Sequence, residues 1–276
     1  MNSVNTNVGA MVALQNLNKT NANLSEVQNR INTGLKVASA KDDGGIYAIA
    51  QRMRGDVRAF DAVSSSIDRA QSTVDVALAA GEAISDLLID MKEKALAASD
   101  ASLDADSRTA LNEDFTALRD QITTIVDNAT FNDVNLIDGS TAQITALANA
   151  DGSNTLTVDA EVMGLGTTNS VLTITGGTAV DTATNASDAL AALDTSINQL
   201  NSALARMGTG SKSLEIQNTF IGKIQDATQA GIGNLVDADL AKESSRLQAL
   251  QVQQQLGVQA LSIANSAPST ILGFFR

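Results

Sequence analysis

The chain has 276 residues, enough for one or two globular domains or one long helical assembly, and a formal net charge of −13 from 31 acidic and 18 basic residues. No run of Lys or Arg interrupts that acidity, so nucleic acid and anionic membrane are poor partners. With no Cys and no His there is no disulfide or thiol chemistry, and no catalytic residue, metal site or cofactor is expected.

The N-terminal segment MNSVNTNVGAMVALQNLNKT lacks a charged region followed by a continuous apolar one, so it does not read as a signal peptide. No apolar run approaches the roughly 18 residues that a membrane span needs. By signal logic alone the protein would stay in the cytoplasm. Residues 3–33 carry a helical pattern: Val4, Met11 and Leu14 start it, and Leu17, Leu24 and Ile31 continue it in sevens beside Val27 and Leu35. Its polar face is mostly Asn, Gln, Ser and Thr, which suits contact with other protein better than bulk water. Thr33-Gly34 breaks the helix, and Lys36 to Ile46 reads as a loop with turn chemistry from Asp42, Asp43, Gly44 and Gly45.

The stretch from Asp56 to Ser99 is the longest regular pattern. Phe60, Ile67, Val74, Gly81, Leu88 and Ala95 fall on one heptad position, and Val63, Ala70, Ala77, Ile84, Met91 and Ala98 on the other. That seam predicts a coiled-coil helix about 65 Å long, far longer than the roughly 19 Å radius of gyration of a compact chain of this length. The chain is therefore read as a rod, with small seam residues that let partner helices approach closely. Asp100 to Ser107 is a polar turn in which Asp104 or Asp106 can cap the next helix. Its Asp spacing does not fit a calcium loop. Leu111, Phe115, Leu118, Ile122, Ile125 and Ala129 then form another heptad seam, and the short connection predicts an antiparallel helical hairpin.

The pattern changes at Phe131. To about Thr184 the chain is rich in Thr, Ser, Asn, Asp and Gly, and Leu156, Val158, Ala160 and Val162 alternate with polar residues as a half-buried strand. Ile144 and the run Val171–Thr175 suggest further strands, with turns at Asp151-Gly152 and Gly176-Gly177. A small β-hairpin-rich insertion at one end of the rod is expected. Helix resumes near Ser187: Leu193, Leu200, Met207, Leu214, Ile221 and Leu235 share one heptad position, with Thr228 between the last two, and Ile197, Leu204 and Ile232 supply the other. Gly208 and Gly210 suggest a bend; GTGSKS resembles a phosphate loop only superficially, lacking the Gly-Lys-Ser/Thr order. Ala230 to Gly233 suggests a joint.

The tail, Asp237 to Arg276, is apolar on two faces of one helix. Leu240, Leu247, Leu250, Val258 and Leu261 cluster on one side; Ala249, Val252, Leu256, Ala260 and Ile263 cluster nearly opposite. A helix apolar on two sides must be buried on two sides. One side can meet the N-terminal helix of the same chain; the other needs another molecule. Ile271, Leu272, Phe274 and Phe275 close the chain and call for burial too. Helical ends that pair with each other and with neighbours describe a self-assembling subunit.

At this point the sequence closely resembles bacterial flagellin, the shorter kind typical of alphaproteobacteria. The resemblance covers residues 2–138 and 187–276. It rests on VNTNVGAMVALQNLN, RINTGLKVASAKDDGGIYAIA and ATFNDVNLIDG near the start, and at the end on GNLVDADLAKESSRLQALQVQQQLGVQALSIANSAPSTILGFFR, which holds the single Pro268. The resemblance implies a mainly α fold: a long antiparallel coiled-coil rod with paired terminal helices. Residues 1–35 and 240–276 would form an inner terminal core lining a hollow filament, 36–48 and 235–239 the connecting spoke, 49–130 and 187–234 the rod, and 131–186 the variable insertion. It implies export through the flagellum's own type III channel and a place outside the cell, which replaces the cytoplasmic reading. Lack of Cys and near-lack of Pro suit passage and refolding. Partners so implied are further copies of the chain, the flagellar cap, hook-associated junction proteins, and the export apparatus with its chaperone. The assembly residues would be Val4, Met11, Leu14, Leu17, Leu24, Ile31, Leu240, Leu247, Leu250, Leu256, Val258, Leu261, Ile263, Phe274 and Phe275.

Two further carry-overs concern the surface. The stretch Ile89 to Leu96 aligns with the flagellin patch bound by a Toll-like innate receptor. Lys92 and Glu93 keep the family's character, but Asp90 stands where a receptor-bound flagellin has Arg, and Lys94 where it has Leu, so weak recognition is expected. O-glycosylation of some flagellins makes Thr167, Thr168, Ser170 and Thr178 acceptor candidates, while the Asn-x-Ser/Thr matches at Asn18, Asn23, Asn128 and Asn185 read as chance. The competing readings are a hook–filament junction protein, which shares the terminal pattern, a flagellin carrying a zinc protease, which the lack of His opposes, and a secreted coiled-coil adhesin or effector, which would not need two-sided apolar ends.

Overall fold

The structure, a computed structural model, describes the backbone of residues 6–272 and the side chains of residues 6–266. Five helices carry the described chain: α1 (Val8–Thr33), α2 (Gly44–Ala98), α3 (Ala105–Asn128), α4 (Ala183–Val236) and α5 (Leu240–Leu272). Two short antiparallel hairpins lie between α3 and α4, β1 (Thr130–Phe131) with β2 (Val134–Asn135), and β3 (Gln143–Leu147) with β4 (Thr155–Asp159). The chain divides into two compact units, Met1–Gly55 with Ala227–Arg276, and Asp56–Asp226.

In the unit Asp56–Asp226 the heptad reading of α2 holds residue by residue. Val63, Ile67, Ala70, Val74, Ala77, Ile84, Leu88, Met91, Ala95 and Ala98 are all buried, and Phe60 is half-buried at the start of the stripe. They face Phe115, Ile122 and Val126 of α3 and Leu193, Leu200, Met207 and Leu214 of α4 within one hydrophobic core. Asp104 caps α3, its carboxylate accepting from the Ser107 N–H at 2.9 Å. Arg108 then ties the turn to the end of α2 by donating to the Ala98 carbonyl at 2.9 Å. Polar pairs fix α4 antiparallel along α2: Ser64 donates to Asn218, Asn218 to Asp68, and Ser211 to Asp75.

Asn132 and Asp133, both at positive φ (50° and 63°), make the two-residue turn joining β1 to β2, the left-handed pair that a tight hairpin requires. Asn135 is buried and ties the end of α3 to the segment after β2: its amide donates to the Val126 carbonyl at 2.7 Å, and its oxygen accepts from Ile137 N–H at 2.9 Å. The 131–186 segment does not stand apart at one end. Leu136, Ile137, Met163 and Ile174 are fully buried in the helical core, Leu147 N–H donates to Ser66, and Gln217 donates to the Ala148 carbonyl. Small residues make room for it. A Cβ on Gly210 would lie 2.7 Å from Val158 Cγ1, and one on Gly81 would lie 3.3 Å from Met163 Sδ, besides 2.6 Å from Leu204 Cδ2 of α4.

Several expectations are corrected. The loop after α1 is shorter than the expected Lys36 to Ile46, because Asp43 accepts from Ile46 N–H at 3.0 Å and α2 starts at Gly44. Gly208 and Gly210 do not interrupt α4, and no break falls at Ala230 to Gly233; the helix is continuous to Val236. Gly210 and Gly231 serve close packing, against Val158 and Met53, whereas a Cβ on Gly208 would meet nothing within 4 Å. Val171–Thr175 is not a strand: Leu172 and Ile174 are buried as alternation predicts, but the Thr173 N–H goes to the Ser196 hydroxyl of α4, leaving no partner strand. The strand expected through Val162 ends as a β3–β4 ladder at Asp159, and beyond it the Ala160, Glu161 and Met163 N–H groups donate to the Ala142, Leu136 and Ile137 carbonyls.

Candidate assembly surface

The unit that joins the two ends of the chain is built from α1, α5 and the segments beside them. Leu35 bridges to Asp237, Lys36 N–H donates to the Val236 carbonyl at 2.6 Å, and Ala238 N–H to the Gly34 carbonyl at 2.9 Å. Gly34, at φ 71°, is the left-handed cap of α1 that turns the chain into this clasp. Beyond it α1 and α5 run antiparallel. Asn7 donates to the Ala264 carbonyl at one end, Gln254 to Asn21 in the middle, and Arg30 to Glu243 at the other end at 3.2 Å.

The seam between the two helices alternates in threes and fours on both sides. On α1 the seam positions are Ala10, Ala13, Leu17, Thr20, Leu24, Val27 and Ile31, all buried or half-buried, with half-buried Asn23 and Arg30 flanking them. On α5 they are Glu243, Leu247, Leu250, Gln254, Gly257, Leu261 and Ala264. Gly257 permits the closest approach, since a Cβ there would lie 3.2 Å from Leu17 Cδ1. The seam is a coiled-coil seam in both helices. Its polar members escaped the sequence reading. Thr20 satisfies its hydroxyl on the Asn16 carbonyl, and Glu243 is buried with one oxygen on Arg30 and the other without a partner. Heptad spacing from Leu250 back to Glu243 is the signal that could have found the latter.

The expected assembly residues therefore split into two sets. Leu17, Leu24, Ile31, Leu247, Leu250 and Leu261 are consumed by pairing within the chain. Met11, at 63 % exposure, and Leu14 lie outside the seam beside exposed Val8 and Val12; Leu240 and Val258 are likewise exposed and not on the seam face assigned to them. On α5 the opposite face is open: Val252, Leu256 and Ile263, the last at 70 % exposure, form one stripe pointing away from α1. Val4, Phe274 and Phe275 lie outside the described residues. The chain thus holds two hydrophobic stripes, on α1 and α5, that nothing in the described chain covers.

The two surface patches lie in the other unit. Lys92 bridges to Asp194 of α4, and Lys94 to Asp114 of α3 at 3.0 Å, so both cations are turned to neighbouring helices while Asp90 and Glu93 stay exposed. The paired Asp114 carboxylate raises the Lys94 pKa. Of the hydroxyl candidates, Thr167 donates to the Gly164 carbonyl, Ser170 accepts from Leu172 N–H and Thr178 accepts from Thr175 N–H. Thr168 is exposed. Among the described residues no cluster of carboxylates could hold a metal ion, and no helix is long and apolar enough to cross a membrane.

Comparison with known proteins agrees with this arrangement. The family profile of the bacterial flagellin N-terminal helical region matches residues 4–142, and that of the flagellin C-terminal helical region matches residues 190–275. Flagellin FljK of Caulobacter vibrioides is 54 % identical over 276 residues, covering 100 % of this chain and 99 % of its own length. The flagellin of Brucella melitensis biotype 1 is 36 % identical over 284 residues, covering both chains completely. A solved flagellar hook-associated protein from Vibrio parahaemolyticus shares the fold at a TM-score of 0.56 and 17 % identity, over 71 % of this chain and 100 % of that one. Two terminal helices that pair with each other while each keeps an open apolar stripe, matched end to end by these relatives, make the chain a member of the bacterial flagellin family.

Proposed function

We propose that this flagellin polymerises through the open stripes of α1 and α5, with each subunit's Val8, Met11, Val12 and Leu14 and its Val252, Leu256 and Ile263 buried against neighbouring copies. The product is the flagellar filament outside the cell, the structural propeller of swimming motility. The observation that carries the reading is the two-sidedness of α5. One face is spent on α1 and the opposite one is exposed, and a continuous exposed apolar stripe marks an interaction site. In this reading residues 1–35 and 240–276 form the inner core of the filament, 36–48 and 235–239 its connection, 49–130 and 187–234 the rod, and 131–186 the outward segment. The hook-associated junction proteins and the cap meet the two ends of the polymer, and an export chaperone covers the terminal stripes before secretion.

The test is electron microscopy and sedimentation of purified full-length protein before and after a precipitant such as ammonium sulfate. Long uniform filaments that pellet are expected. A chain that stays monomeric, or makes only short caps or rings, would overturn the reading in favour of a junction protein or a secreted effector. Removing 1–35 or 240–276 is expected to abolish pelleting while the unit Asp56–Asp226 still melts cooperatively.

A further inference from the structure

Every sulfur in the chain is a thioether, since there are six methionines and no cysteine. The fold treats those thioethers unequally. Met91, Met163 and Met207 are buried in the core of the unit Asp56–Asp226. Met53 is half-buried with its methyl facing Gly231. Among the described residues Met11 is the one exposed methionine. Methionines share one chemistry, so an oxidant in water discriminates among them by access.

Met11 also sits where a change of polarity counts most. At 100° per residue, Val8, Met11 and Val12 project from α1 away from its seam positions Ala10, Leu17 and Leu24. The following turn brings Gln15, Asn18 and Lys19 to that side. The open apolar patch at this end of α1 is therefore short, with exposed Leu14 at its flank, and Met11 is its longest and its only unbranched side chain. Oxygen added to that one sulfur turns the middle of the patch polar.

We propose that Met11 is a sulfoxidation site whose oxidation state controls whether the chain can polymerise. The oxidant class is a peroxide. Its O–O bond breaks, one oxygen bonds to Sδ and, for hydrogen peroxide, the other leaves as water; the sulfur loses the two electrons that the peroxide gains, and the thioether becomes a sulfoxide. The new oxygen is a hydrogen-bond acceptor, hydrated for as long as the stripe is open. Burial against a neighbouring copy strips that water, and Val8, Val12 and Leu14 supply no side-chain donor in exchange, so the oxidised chain associates weakly. The proposal rests on the filament reading and adds regulation to the same stripe. A free chain is vulnerable, whereas a subunit already in place has Met11 covered. The mark is erasable, because a methionine sulfoxide reductase restores the thioether.

The experiment exposes full-length monomer to limiting hydrogen peroxide and locates the added oxygen by peptide mass mapping. Sedimentation then gives the critical concentration, below which nothing pellets. Oxygen is expected on the Met11 peptide before those holding Met91, Met163 and Met207, with a critical concentration raised roughly tenfold by the buried polar group. The melting temperature of the unit Asp56–Asp226 should not move, and reductase treatment should return the critical concentration to its starting value. The ratio of critical concentrations with and without peroxide is expected to fall to about one in Met11→Leu and to keep its full size in Met53→Leu. Preformed filaments given the same dose should retain an unmodified Met11. A chain oxidised on Met11 that polymerises like the untreated one overturns the proposal and leaves the filament reading intact. So does a filament in which Met11 reacts as fast as in the monomer, or a peroxide effect abolished by Met53→Leu. An untreated chain that never polymerises overturns both readings.

Discussion

Gly208 and Gly210 are two residues apart in the interior of α4, yet alanine is expected to act in opposite directions at them. In a helix interior Ala is favoured over Gly by about 0.8–1 kcal/mol. At Gly208 nothing lies within 4 Å of the new Cβ, so Gly208→Ala stabilises by close to that amount. At Gly210 the Cβ would lie 2.7 Å from Val158 Cγ1, 3.0 Å from Cγ2 and 3.4 Å from Cβ. Ordinary carbon contacts are about 3.5–4.0 Å. Val158 is buried on β4, and a β-branched side chain meeting the intruder with both methyls has no rotamer that clears it. Overpacking costs about 1–3 kcal/mol, so Gly210→Ala destabilises by about 1 kcal/mol net. Thermal melting of the monomer, followed by far-UV circular dichroism, should separate the two variants by about 4–8 °C at roughly 2–4 °C per kcal/mol. Val158→Ala combined with Gly210→Ala should cost less than the two single effects added, a coupling of about 1 kcal/mol. A Gly210→Ala protein as stable as Gly208→Ala would refute the packing of the hairpin on α4.

Other expectations follow from the same geometry. Leu256→Glu or Ile263→Glu on the open face of α5 should abolish pelleting without lowering the melting temperature, whereas Leu250→Ala, in the seam, should destabilise the paired ends by about 2–5 kcal/mol in urea unfolding. Asp42, Asp100, Asp104 and Asp151 are each held below the ordinary 3.8 by donors from a nearby serine. Their stabilisation is present above that value and is lost as pH falls through the lowered native values, so melting temperature should begin to drop as pH approaches 3.8 and keep dropping below it. Asp104→Asn should shrink the drop. A Toll-like receptor reporter assay should give a weaker response than an enterobacterial flagellin, and Asp90→Arg with Lys94→Leu should strengthen it; equal potency of the unaltered protein would contradict the altered-patch reading. Intact mass above the sequence mass, lost in Thr168→Val, would mark that residue as the modified hydroxyl, and a mass equal to the sequence would dismiss glycosylation.

Much of the fold was legible because a seam repeats. Eleven heptad positions of α2 from Val63 to Ala98 are buried as spacing says, since a helix packed on one side cannot hide its periodicity. The terminal helices were harder for the opposite reason. Met11, Leu14, Leu240 and Val258 were assigned to the same stripes as Leu17 and Leu250, yet they are exposed. A helix with two apolar stripes offers two phases, and the sequence of one helix does not say which phase its own chain takes. The glycines of α4 misled in another way. A helical Gly reads as a bend until the side chain that needs the space, here Val158, is known, and that side chain lies in a distant hairpin. Val171–Thr175 shows the limit of alternation: it reports which side chains are buried, not whether a neighbouring strand exists to accept the backbone.

A heptad seam has a built-in ambiguity: slid by seven residues, it fits itself again. Ala70, Ala77 and Val74 would sit almost as comfortably against their partners one repeat further on. What removes the degeneracy is a set of features that occur once. Leu204 fits over Gly81 and Val158 over Gly210, and Asn218 is shared between Ser64 and Asp68. Apolar burial supplies the cohesion of the helices, but these singular contacts set their relative length. A polymer built from thousands of such subunits adds up any slippage along its axis, so an unslippable register in each copy is what allows a long structure to keep one pitch.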